Sequence, residues 1–112
     1  MEGARSVARF GVAGAAPVAT LSCDRAAGAL NLWRTGAATG AVPLVITSTS
    51  VRRMVNGTAD AAGGVGATLA AKDPALDAIA FSRGRFMMEV PGNPALYLPS
   101  WPELTRVIED CR

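Results

Sequence analysis

A chain of 112 residues with 50% hydrophobic positions and a mean hydropathy of +0.27 can bury the core of one domain and has little room for two. Its net charge of +2 is scattered along the chain, too weak for the basic footprint that a nucleic-acid binder needs. Histidine is absent, which removes the commonest general base, the commonest zinc ligand and the usual pH switch, so neither a metal nor a cofactor is expected. No stretch approaches the roughly 20 apolar residues that span a bilayer.

The opening Met1-Glu2-Gly3-Ala4-Arg5 lacks the basic start and apolar run of a signal peptide, which leaves two expectations: a cytoplasmic chain, or a leader removed ahead of Met1. Residues 7–12 alternate as an edge strand, ended by a turn at Gly14-Ala15-Ala16-Pro17. Residues 18–23 put Ala19, Leu21 and Cys23 on one face, the better core candidate, and Val18, Thr20 and Ser22 on the other. After a turn at 24–28, residues 29–34 place Leu30, Leu32 and Arg34 together, with Asn31 and Trp33 opposite, so the two runs read as a hairpin. A glycine- and alanine-rich loop, 35–42, leads to the strongest strand, 44–51, largely β-branched and extendable to Val55. Asn56-Gly57 is a hairpin-turn signal; with Thr58 it also spells a glycosylation sequon, a weaker reading of the same residues.

Residues 59–64 read as loop and 65–71 as a weakly alternating strand. Asp73-Pro74 is a helix start, an N-cap followed by proline at the first helical position; Leu76, Ile79 and Ala80 supply an apolar stripe for one or two turns. Residues 85–90 form a strand with Phe86, Met88 and Val90 inward, and a tight turn at Pro91-Gly92-Asn93-Pro94 returns the chain as 95–98. Ser100-Trp101-Pro102-Glu103 has the spacing of a capping box, opening a helix whose apolar face is Trp101, Leu104, Val107, Ile108 and Cys111. A helix this short is marginal alone and is expected to dock on the sheet. The sum is one mainly β domain over residues 1–112: an antiparallel sandwich or small open barrel of six to seven short strands, with one short internal helical turn and a C-terminal amphipathic helix on the sheet.

Cys23 and Cys111 are the only cysteines and sit in no C-x-x-C pair, which excludes zinc ribbons and thioredoxin-type motifs. A bridge between them closes nearly the whole chain and is worth about 4–5 kcal/mol by the loop-entropy model. Two buried free thiols are the alternative. A bridge points to an oxidising compartment.

Catalytic constellations are sparse. Without histidine only a Ser–Lys or Thr–amine scheme survives, and Lys72, the sole lysine, reads as a solvated turn residue. Asp24 and Asp110 flank the cysteines, so a bridge would bring two carboxylates together; ion pairing with Arg25, Arg106 and Arg112 is the simpler reading. Gly63-Gly64-Val65-Gly66 lacks both the dinucleotide and the phosphate-loop pattern. The best candidates for contacting an anion or a partner are Arg52 and Arg53 after the strongest strand, and Arg83 and Arg85 around Gly84. Their forked guanidiniums suit a carboxylate or phosphate. Trp33 and Tyr97 are expected in core or rim packing, with an exposed contact patch as the alternative.

The stretch Ala78-Ile79-Ala80-Phe81-Ser82-Arg83-Gly84-Arg85-Phe86 and, above all, the ending from Leu98 through Trp101-Pro102-Glu103 to Glu109-Asp110-Cys111-Arg112 resemble uncharacterised small proteins of sphingomonad-type alphaproteobacteria. There a cysteine–aspartate step like Cys23-Asp24 sits upstream. The layout is also similar, more distantly, to periplasmic accessory proteins of the type VI secretion and invasion-associated-locus-B kinds, which pair a strand cysteine with one in a C-terminal helix. The resemblance implies a periplasmic or secreted location and a disulfide, and no functional residues. The function expected is a non-catalytic envelope or secreted module that binds a protein or envelope component. The alternative is a small-ligand binder or enzyme using the arginine pairs with Asp24 or Asp110.

Overall fold

The computed structural model describes residues 6–11, 14–61 and 63–112. Val12 of the first expected strand, the segment 1–5 and Ala62 of the 59–64 loop lie outside them. Eight strands run β1 (Val7–Phe10), β2 (Ala19–Asp24), β3 (Ala29–Thr35), β4 (Ala41–Thr47), β5 (Arg52–Ala59), β6 (Gly64–Ala70), β7 (Arg85–Glu89) and β8 (Leu96–Pro99). Helix α1 (Pro74–Ala80) joins β6 to β7, and α2 (Pro102–Asp110) follows β8. All pair antiparallel in one sheet of order β1-β2-β3-β6-β5-β4-β7-β8.

That sheet is curled into a nearly closed barrel. A flat sheet of eight strands would be about 34 Å wide and one strand thick, whereas the molecule measures 32 × 31 × 29 Å. Phe10 of β1 and Phe86 of β7, six places apart in the sheet, meet edge to face with ring centroids 6.1 Å apart. The alternation read from sequence holds: Ala19, Leu21 and Cys23, then Leu30 and Leu32, then Phe86, Met88 and Val90 are buried in one core. Helix α1 starts as its sequence dictates, with the Asp73 carboxylate accepting from the Ala75 amide at 2.9 Å and Pro74 at the first position. The return after Val90 is a turn with proline second and Gly92 third, at φ +79°, closed by the Asn93 amide donating to the Val90 carbonyl at 3.1 Å.

Three expectations are corrected. Asn56-Gly57 makes no turn: both lie inside β5, which makes the strand count eight, and the β4–β5 reversal is at 48–51. Gly57 is needed for closeness: a Cβ there would stand 2.7 Å from the Val42 carbonyl oxygen and 2.9 Å from Val65 Cγ1. The capping box does not form. Trp101 occupies the N-cap with no side-chain cap bond, while the Ser100 hydroxyl donates to the Ile79 carbonyl (2.9 Å) and its amide to the Gly84 carbonyl (3.1 Å). Ser100 thus directs both its donors to tertiary carbonyls and sits one residue ahead of the N-cap. Trp101 is half exposed and stacks on Phe10 at 6.0 Å, so Leu104, Val107 and Ile108 carry the docking of α2.

Arg34 shares the inward face with Leu30 and Leu32 and is buried with them. Its guanidinium donates to the carbonyls of Thr35 (2.6 Å), Met88 (3.0 Å) and Pro94 (2.9 Å), tying β3 to β7 and to the β7–β8 connection. Burial pushes its pKa below the ordinary value. Asn93 repeats the tie outside, its amide accepting from Ala37 N (2.8 Å) and donating to Ala37 O (3.1 Å). Cys23 of β2 and Cys111 just past α2 are bridged, Cα atoms 5.5 Å apart.

Three measurements check this fold. In denaturant, alkylation without reduction should leave the intact mass unchanged, and prior reduction should expose both thiols; two reactive thiols in protein made under oxidising conditions would refute the bridge. Arg34→Leu should lose about 2–4 kcal/mol in chemical denaturation by stranding buried carbonyls, with faster amide exchange over 88–94. Gly57→Ala should cost about 1–3 kcal/mol through overpacking against backbone; an unchanged midpoint would contradict the close strand approach.

Candidate functional site

Strands β3, β6 and β5 present their outward residues in rows. Trp33 lies opposite Gly66, and Gly66 in turn opposite Thr58; Asn31 lies opposite Thr68. Because β6 has glycine at 64 and 66, nothing stands up between Trp33 and the strand, and a Cβ at Gly64 would collide with the indole. The ring covers the glycines, as aromatic side chains often do in strands. Its nitrogen donates to Asp60 Oδ2 at 2.7 Å, and Asp60 Oδ1 accepts from the Gly64 amide at 3.0 Å, so one carboxylate fixes both the ring and the β5–β6 turn. With one face on glycine and its edge pinned, the half-buried ring keeps its other face for solvent.

An open groove of about 550 Å³ borders this ring, lined also by Asn31, Asn56, Thr58, Asp60 and Thr68. The Thr68 hydroxyl donates to Asn31 Oδ1 at 2.9 Å, which leaves the Asn31 side-chain amide hydrogens for another acceptor. Among the described residues, the exposed side chains of Asn56 and Thr58 make no hydrogen bond. No basic residue lines the groove among those described. An aromatic face beside amides and hydroxyls, with little charge, suits a ligand that has both apolar C–H faces and many hydroxyls.

The arginines singled out from sequence divide. Arg53 is spoken for, donating to Asp73 at 2.8 Å. Arg85 lies over the exposed Tyr97 ring, 5.2 Å from its centroid, so Tyr97 joins a surface patch and not the core. Arg83 is exposed on a turn held against the β4–β5 turn: its amide donates to Thr49 Oγ1 (2.8 Å), and the Thr49 amide donates to Ser82 Oγ (3.0 Å). Arg52 opens β5 beside that turn and borders a cleft of about 310 Å³ with Glu89. These arginines do not converge with Asp24 or Asp110. Asp24 accepts from the Ala27 amide (3.2 Å), and Asp110 accepts from the Ser6 hydroxyl (3.1 Å). The ion pairs of Arg112 are with Asp77 (2.8 Å) and Glu109 (3.7 Å), and Asp77 holds its guanidinium pKa above the ordinary value.

The groove itself was not assembled from sequence, because its residues come from three strands whose register alternation cannot supply. The one available signal was Trp33 on the polar side of its strand, opposite Leu30 and Leu32. Compared with protein-family models, curated proteins and solved structures, the chain finds no match, so the reading of this site rests on its geometry.

Proposed function

We propose that the chain is a non-catalytic envelope or secreted module that binds a neutral saccharide segment of an envelope component along the Trp33 groove. The observation that carries the reading is the indole pinned by Asp60 at 2.7 Å beside unengaged Asn56 and Thr58 side chains. A sugar ring offers C–H faces to the indole and hydroxyls to the amides and threonine, and it demands no countercharge. The Cys23–Cys111 bridge supports a periplasmic or secreted location, since such bridges persist where thiols are not kept reduced. The resemblance read from the sequence to periplasmic accessory proteins implies the same compartment.

The test is calorimetric titration with chitotetraose and cellotetraose, together with co-sedimentation with purified peptidoglycan sacculi. Binding is expected, weakened about tenfold or more by Asn56→Ala/Thr58→Ala, which is about 1.4 kcal/mol. Both side chains are exposed and form no hydrogen bond among the described residues, so the thermal midpoint should not move. Trp33→Ala should abolish binding and also lower stability, because it uncovers Gly64 and Gly66. Absence of heat at millimolar sugar, with no retention on sacculi, would refute the reading.

A further inference from the structure

A second surface lies at the end of the barrel where β5 begins. Two turns meet there, 48–51 and 81–84, locked by the Thr49–Ser82 and Thr49–Arg83 hydrogen bonds. Phe81 lies on one of these turns with 79% of its surface exposed, Val51 on the other at 41%, and Tyr97, under the Arg85 guanidinium, at 61%. A phenylalanine that open has no concave wall around it and no packing role in the core. Arg52 follows Val51 in the chain, Arg83 and Arg85 follow Phe81, and no ion pair among the described residues engages any of the three, although Arg52 shares its cleft with Glu89. Neither turn contains an acidic residue. The acidic residue in the first turn of α2, Glu103, shares its cleft with Arg106, and Asp73 and Asp77 are held by Arg53 and Arg112.

We propose that this rim docks on a membrane surface rich in anionic phospholipid, with Phe81 entering the headgroup layer and Arg52, Arg83 and Arg85 pairing with lipid phosphates. An exposed phenylalanine with guanidiniums outside any ion pair on the same two turns matches a fluid, anionic, deformable partner. An acidic polypeptide would satisfy the charges but would have to supply its own pocket for the ring, so the lipid surface is the better match.

The experiment is flotation of the oxidised protein with vesicles of phosphatidylglycerol and phosphatidylcholine in equal parts, and with phosphatidylcholine alone. Vesicles carry no glycan, so the outcome is independent of the Trp33 groove. Retention is expected on the anionic vesicles only, falling as salt rises. Each arginine should contribute about fivefold, so Arg52→Gln/Arg83→Gln/Arg85→Gln should reduce partitioning about a hundredfold. Phe81→Ser should reduce it about tenfold and leave the residual binding more salt-sensitive. Equal retention on neutral vesicles, or wild-type retention of the triple variant, would overturn the proposal. So would capture by immobilised polyglutamate without retention on any vesicle, which would transfer the rim to an acidic protein partner. The substituted side chains are exposed, and an unchanged thermal midpoint in each variant verifies that the fold is kept.

Discussion

A sheet that curls into a barrel without joining its two edges has a seam, and everything else in this molecule is arranged around closing it. No ladder joins β1 to β8 among the described residues. The gap is closed by side chains and by α2, which packs on β1 and β2 and touches α1. A nine-residue helix has too little intrinsic stability to stay there alone. Three buried apolar residues and a covalent bond at its far end hold it. Closing 88 residues of sequence separation by the disulfide is worth about 4–5 kcal/mol in the unfolded chain, a large share of the 5–15 kcal/mol by which domains are stable. Across the barrel, Arg34 does with two carbonyl contacts, to Met88 and Pro94, what a ladder would do with amides.

This explains which parts of the fold were legible. Hairpin β2–β3, the inward faces of β2, β3 and β7, the Asp73-Pro74 helix start and the Pro91-Gly92 turn are local, set by residues within a few positions of one another. Arg34 was legible as a residue on the leucine face. That the face is buried at its position follows only from curvature. Asn56-Gly57 misled because its turn signal is conformational, whereas this glycine is demanded by a carbonyl and a valine from two other strands. Ser100 misled for the same kind of reason: a serine that can cap its own helix found two acceptors in the α1–β7 region instead. Of the arginines proposed for partner contact, Arg53 was absorbed by the α1 cap, since Asp73 Oδ1 serves the helix amide and the guanidinium together.

The barrel separates its two faces by task. The inner face carries the apolar side chains and one compensated cation, and changes there are felt as stability. On the outer face, glycine at 64 and 66 is what lets a tryptophan lie down beside amides and hydroxyls. Trp33 therefore has two duties, covering a weak strand and presenting a ring. That is why Asn56 and Thr58, whose side chains make no hydrogen bond among the described residues, are the cleaner probes of binding.

The two surfaces also have a fixed relation. Strand β5 starts at Arg52, beside the Phe81 rim, and ends at Ala59, next to the Asp60 that pins the indole. Eight residues of extended chain put these points about 25 Å apart on opposite ends of one rigid strand. A protein seated on lipid by the rim would hold its groove away from the headgroups, facing the aqueous side where a glycan strand is within reach. Neither surface needs the other to bind its own ligand. Under the two proposals, their placement at the two ends of β5 would let both be engaged at once, and two weak contacts would then add into one stronger attachment wherever lipid and glycan lie within a barrel's length.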